Sequence, residues 1–194
     1  VYAGGAIGSA VGGSTGYKGL LNGAEILTTN DGVKGLLGEV ITGVQKDFGT
    51  LVLGAELVLG MGTAKTNKEV NGKKYTADQK ASVEVAARIG LKVTDLVQVY
   101  GRVGFANTGF DRQLPVDEAA TGVKAKLSKR LNGLVLGGGV EAKIMEAFLV
   151  GVEAKQISYK EDKANVAGNP GFTATDTFKP KTVSVMVRFT YKMT

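Results

Sequence analysis

Ten ionisable side chains stand at alternate positions of otherwise apolar segments: Glu39, Glu56, Glu84, Glu141 and Glu153, with Arg88, Arg102, Arg188, Lys143 and Lys155. Paired carboxylates are the raw material of acid–base catalysis, but here they lack the usual companions. The 194 residues include no His and no Cys, which removes the commonest general base and metal ligand and every thiolate site. No Ser forms a nucleophile constellation with the acids. Catalytic, metal-binding and cofactor-binding residues are therefore not expected, and neither is an enzyme. Five acids matched by five bases point instead to ion pairing. Inside a narrow barrel an unpaired charge is costly, so these ten are expected to form an interior charge network.

A second basic set, Lys65, Lys68, Lys73, Lys74 and Tyr75, lies in a polar stretch and is a candidate binding surface for an acidic glycan or lipopolysaccharide. The formal charge of +6 suits such anionic partners, though an even scatter of lysines more often means a plain solvated surface. Nucleic acid is not expected, because the chain has neither an RNP-like aromatic pair nor a concentrated basic helix. Two short motifs lead elsewhere than their patterns suggest. The glycines of VYAGGAIG precede a Gly/Ser/Thr-rich stretch rather than a helix, and Asp47-Phe48-Gly49 reads as a turn between strands.

The elements that must carry the charges are strands. In Ser82 to Ala106, Val83, Val85, Ala87, Ile89 and Leu91 share one face against Glu84, Arg88 and Lys92; Val97, Val99, Val103 and Phe105 then oppose Gln98, Tyr100 and Arg102. This predicts a hairpin. The same alternation predicts strands over Val1 to Val11, Gly35 to Gln45, Thr50 to Gly62, Leu134 to Lys143, Phe148 to Tyr159 and Thr182 to Met193. Between Gly122 and Leu134 the pattern breaks at Ser128 to Asn132, which a bulge or a strand running beyond the main sheet would explain.

Eight strands result, with short turns at 46–49, 92–96 and 143–147 and long loops at about 12–34, 63–80, 107–121 and 160–179. Strict alternation of short and long connections puts all short turns at one end of an up-and-down barrel. The nearly charge-free face spans about ten residues per strand, the length a tilted strand needs to cross a bilayer. The expected fold is an all-β, eight-stranded antiparallel up-and-down transmembrane β-barrel, residues 1–194 forming one domain. A wide porin channel is not expected; inward glycines such as Gly54, Gly60, Gly90, Gly104, Gly137, Gly139 and Gly151 leave room for water pockets, with slow ion leakage as the lesser reading.

VYAGGAIG, GEVITGVQKDFGTLVLGAEL, ARIGLKVTDLVQVYGRVGFA, LVLGGGVEAKIMEAFLVGVEAK and the final VSVMVRFTYKM together resemble the opacity-type, OmpA-like outer-membrane β-barrel family of Gram-negative bacteria. The resemblance covers nearly every strand and none of the long loops. It implies periplasmic short turns, surface-exposed loops, outer-membrane lipid and lipopolysaccharide as surroundings, and a last strand recognised by the barrel-assembly machinery. Two features depart from the family pattern: Met193 and Thr194 follow Tyr191, and without Trp the aromatic girdle falls to residues such as Phe48, Phe105, Phe148 and Tyr159. A secretory signal is expected to have been removed already. The expected function is non-enzymatic, supporting envelope integrity and presenting loops. The alternatives are an adhesin or receptor for a host or other extracellular ligand, and a soluble lipocalin-like carrier.

Overall fold

The computed structural model of the protein describes residues 1–193 except Gly32, Asn71, Gly72, Pro115 and Ala125; for residues 15, 17, 27–31, 66–70, 73–75 and 118 it describes the backbone alone. Its elements are β1 (Tyr2–Leu21), β2 (Ala24–Asp31), β3 (Gly35–Phe48), β4 (Leu51–Gly62), β5 (Lys65–Val70), β6 (Lys73–Lys92), β7 (Val97–Gln113), α1 (Glu118–Thr121), β8 (Lys126–Lys143), β9 (Phe148–Tyr159), β10 (Asp162–Ala167) and β11 (Thr173–Lys192). Antiparallel pairing runs β1-β3-β4-β6-β7-β8-β9-β11, and β11 pairs back onto β1 from Tyr2↔Lys192 to Leu21↔Ala174. The ring is closed, so every stave has its backbone satisfied on both sides, as a bilayer demands.

The faces point as the charge pattern requires. Val85, Ile89, Val103, Phe105, Val152 and Phe189 are exposed on the outer wall, whereas Glu84, Arg88, Arg102, Glu153 and Arg188 are buried in the lumen. Three tight connections join β3 to β4, β6 to β7 and β8 to β9 at the same end. Gly49 takes a left-handed φ of 77° in the first. In the second, the Thr94 hydroxyl accepts hydrogen bonds from the Leu96 and Val97 amides at 3.2 and 3.0 Å.

The opposite end corrects the expectation of long loops at 12–34, 63–80, 107–121 and 160–179. These segments are largely strand. β7 stays paired with β8 as far as Gln113↔Lys126, and with β6 as far as Thr76↔Gln113, while β2, β5 and β10 add hairpin arms to β1, β6 and β11. Beyond the membrane both faces of a strand meet water or neighbouring loops, so the ladder continues after the apolar alternation has stopped. The β1–β2 turn is Asn22-Gly23, with φ of 51° and 80°, the pair of left-handed positions that a two-residue hairpin turn needs. Ser128 to Asn132 contain no bulge: β8 holds an unbroken register with β7, and the strand simply runs beyond the barrel wall. The register shifts fall instead at Ala10/Gly12, Gly19/Leu20 and Gln79/Ser82.

At three of the inward glycines the space is taken by side chains of neighbouring strands. A Cβ at Gly139 would lie 2.8 Å from the Tyr100 hydroxyl, one at Gly151 would lie 2.5 Å from Glu141 Cγ, and one at Gly137 would lie 2.8 Å from Lys155 Cβ. These glycines make room for large interior side chains. Towards the open end the lumen is filled by a cluster that includes Phe110, Leu114, Val123, Leu131, Tyr159 and Phe178. Gly139→Val places methyl groups where the Tyr100 ring and the Val152 carbonyl already lie. It is expected to lower the yield of folded, heat-modifiable barrel at least severalfold on a semi-native gel, and wild-type yield would show that the lumen has slack there.

Candidate functional site

All eight staves send a side chain to one cross-section of the lumen. Tyr2 comes from β1, Glu39 from β3, Glu56 from β4, Glu84 and Arg88 from β6, Tyr100 and Arg102 from β7, Glu141 from β8, Glu153 and Lys155 from β9, and Arg188 from β11. Period-two alternation puts each on the inner face, and the antiparallel register sets their heights: Arg88 lies opposite Arg102, and Glu153 opposite Met186, two positions before Arg188.

Glu56 is the hub. It receives Arg188 at 2.7 Å, Arg88 at 3.3 Å and Arg102 at 3.3 Å, and it accepts the Tyr2 hydroxyl at 2.6 Å. Glu153 takes Arg102 at 2.8 Å and Arg188 at 2.5 Å, with the Tyr100 hydroxyl donating at 2.7 Å. Glu141 takes Arg88 at 2.5 Å and the Gln98 amide at 2.8 Å. Glu84 pairs with Arg102 and, at 3.0 Å, with Lys155, which also pairs with Glu39. The Arg88 guanidinium lies 3.7 Å from the Tyr100 ring centre, adding a cation–π contact.

Nine of the ten expected charges meet here, and Lys143 does not. It shares the inward phase of Glu141 but lies two residues nearer the tight turn, at the exposed mouth of the barrel, and forms no ion pair among the described residues. Five carboxylates therefore share four cations, and Tyr2, Tyr100 and Gln98 supply the remaining donors. Such an arrangement pairs most of its charge and fills the cross-section.

The sequence reading missed a second buried ionic group at the outer end. Arg112 of β7 reaches Asp176 of β11 at 2.5 Å and Asp162 of β10 at 2.8 Å, and its guanidinium lies 4.6 Å from the Phe178 ring centre. Lys129 of β8 holds the other oxygen of Asp162 at 2.5 Å. Only the position of Arg112 seven strand residues beyond the apolar stretch of β7 could have suggested it. Of the candidate loop cluster, Lys65 is exposed, and the side chains of Lys68, Lys73, Lys74 and Tyr75 lie outside the described residues.

A closed eight-stranded wall, apolar towards lipid and filled by ion pairs within, defines an outer-membrane barrel. The chain belongs to the family of outer membrane protein beta-barrel domains, whose model matches residues 1–190. That membership places it in the bacterial outer membrane and overturns the soluble-carrier alternative. The barrel is similar to OprG from Pseudomonas aeruginosa, with 18% identity and a TM-score of 0.72 over 99% of this chain and 94% of that one. It is also similar to Neisserial surface protein A, at 10% identity and TM-score 0.54, and to the outer membrane protease OmpT from Escherichia coli, at 7% and 0.57; each match covers 99% of this chain and 97% of the other. At these identities the likeness shows the fold alone. No curated protein matches the chain by sequence.

Arg102→Ala takes one cation from each of three buried carboxylates, Glu56, Glu84 and Glu153, and is expected to destabilise the barrel by about 3–5 kcal/mol. Lys143→Ala should stay within about 0.5 kcal/mol of wild type. Urea unfolding in micelles, read by gel mobility, compares the two, and equal shifts would contradict the network. At the outer end, burial pushes the Asp162 carboxyl up, but the Lys129 ammonium and the Arg112 guanidinium outweigh it and hold it below the ordinary carboxylate range. A depressed carboxyl contributes stability above its unfolded value of about 3.9 and loses it as pH falls through the folded one. Amide protection in β10 is therefore expected to drop below about pH 4, and Asp162→Asn should show the loss already at neutral pH.

Proposed function

We propose that the protein is a non-enzymatic, closed-lumen barrel that supports envelope integrity and presents its outer hairpins to the surroundings. The observation that carries this reading is the network centred on Glu56, which draws side chains from every stave across the lumen. An eight-stranded barrel has an interior about wide enough for side chains to fill, and here they fill it with bonded charge. Absence of His and Cys from the whole chain argues against hydrolytic or thiol chemistry at the outer end. The polar hairpin arms β2, β5 and β10 give the barrel a structured outer face on which a ligand could act, and Lys65 is one exposed cation there.

In planar bilayers the wild-type protein is expected to show no stable conductance steps, whereas an Arg88→Ala/Arg188→Ala variant, with the brace removed, should give fluctuating ones. A steady open channel from wild type would overturn the closed-lumen reading. In cells, deletion is expected to accelerate uptake of a hydrophobic dye, and unchanged uptake would remove the envelope role.

A further inference from the structure

The outer wall carries a groove of about 560 Å³ where β9 parts from β8. The last β8–β9 pair is Gly133↔Tyr159, closed by the Lys160 amide donating to the Asn132 carbonyl at 2.9 Å; beyond it β8 continues while the chain turns away into β10. The floor is apolar and exposed: Val83, Val85, Phe105 and Leu134. Its lip is polar, with Asn107, Asn132 and Lys160 lining it, and Arg130 stands two residues beyond Asn132 on the same outward face of β8. Arg130 donates through Nε to the Asn107 side chain and through Nη2 to the Asn107 carbonyl at 2.9 Å, and the Asn107 amide donates to Asn132 at 2.7 Å. Nη1 takes no part in these bonds. Lys160 forms no ion pair among the described residues, while its neighbour Glu161 is engaged with Lys163 at 3.0 Å. Lys80 of β6 and Arg130 flank Gly109, and Lys80 is paired with Asp111 at 3.3 Å.

The position of the lip fixes the chemistry of what would lie there. Along β7 the outward residues pass from Val103 and Phe105 to Asn107; along β8 they pass from Leu136 and Leu134 to Asn132 and Arg130. That change marks the boundary between hydrocarbon and headgroups on the side of the long hairpins. An occupant must therefore be an amphiphile of that leaflet with its chain on the floor and an anion at the lip. Guanidinium and ammonium groups select phosphate by charge-assisted hydrogen bonds, and cations at a membrane surface draw anionic headgroups.

We infer that this groove is a docking site for a phosphorylated outer-leaflet glycolipid of the lipid A type, one acyl chain lying over Phe105 and Leu134 and a phosphate held by Arg130 and Lys160. The inference deepens the proposed function by naming a lipid partner for the envelope role, and it rests on that reading only for the assignment of the hairpin end to the outer leaflet. It is tested on folded protein in micelles, where neither dye uptake nor conductance enters the readout.

Native mass spectrometry of the folded barrel titrated with diphosphorylated lipid A is expected to show a single bound lipid. Arg130→Gln/Lys160→Gln should weaken it at least tenfold, and Lys18→Gln/Lys34→Gln, which removes the same charge away from the groove, should leave it within twofold. Monophosphoryl lipid A and phosphatidylglycerol should bind at least fivefold more weakly. Mobility on a semi-native gel shows that each variant is folded. The proposal is overturned if both double variants weaken binding equally, which would indicate diffuse attraction. It is likewise overturned if phosphatidylglycerol binds as well as lipid A, or if a neutral apolar molecule occupies the groove and the two glutamine changes leave lipid A binding unaltered.

Discussion

The structure depends on shared ion pairs across a lumen a few side chains wide. Arg102 reaches Glu56, Glu84 and Glu153, which belong to β4, β6 and β9, and Arg188 ties β11 to Glu56 and Glu153. No single pair would give much, because desolvating both charges consumes most of their attraction. Sharing changes that balance: Glu56, Glu84, Glu141 and Glu153 each have more than one donor and each guanidinium more than one acceptor, so the cost of desolvation is spread over several bonds that polarise one another. The wall cannot supply this cohesion. Its outward residues are as apolar as lipid, so hydrophobic burial drives insertion but does not press the staves together. Backbone ladders close the ring, and the charge network fixes its cross-section.

Size complementarity follows from that constraint. Long arginines and tyrosines converging from opposite walls need space beneath them, and glycine supplies it. Gly43 lies under the Tyr2 ring and Gly139 under that of Tyr100, where a Cβ would come within 2.6 and 2.8 Å of ring or hydroxyl atoms. Tyr2 and Tyr100 then donate to Glu56 and Glu153. The 29 glycines are thus distributed in part by what the opposite wall must reach. A glycine inside a small barrel says as much about its partner strand as about its own.

The wall and network were legible in the sequence because membrane and lumen impose opposite demands on alternate residues. Val83, Val85 and Ile89 against Glu84 and Arg88 is that demand written along one strand. The outer end was not legible for the same reason: once the chain leaves the bilayer neither face is forced to be apolar, and β1, β7 and β11 continue without a periodic signal. Asn22-Gly23 was a readable turn within the first of these segments, since that dipeptide favours the left-handed pair it adopts. Lys143 shows the limit of face assignment, because phase gives direction but not depth. A residue two positions past Glu141 shares its face and is already in the mouth.

The two ends of the barrel therefore hold together by different means. At mid-depth the bonds link staves that are also joined by the backbone ring. At the outer end Lys129 and Arg112 hold Asp162 across the line where β8 and β10 share no ladder, with one backbone bond from the Asn169 amide to the Thr121 carbonyl at 2.8 Å beside them. Fewer buried contacts and more solvated bonds make such a segment the first to open in a closed barrel. The apolar groove on the wall begins at the foot of the same line, where β9 leaves β8 at Tyr159. Tyr159 joins both regions: its ring packs edge-on against Phe110 at 5.0 Å inside, and its hydroxyl donates to Thr108 at 3.0 Å. A lipid seated in that groove would lie against the part of the wall that the ladder secures least, and would reinforce it from outside as Asp162 does from within.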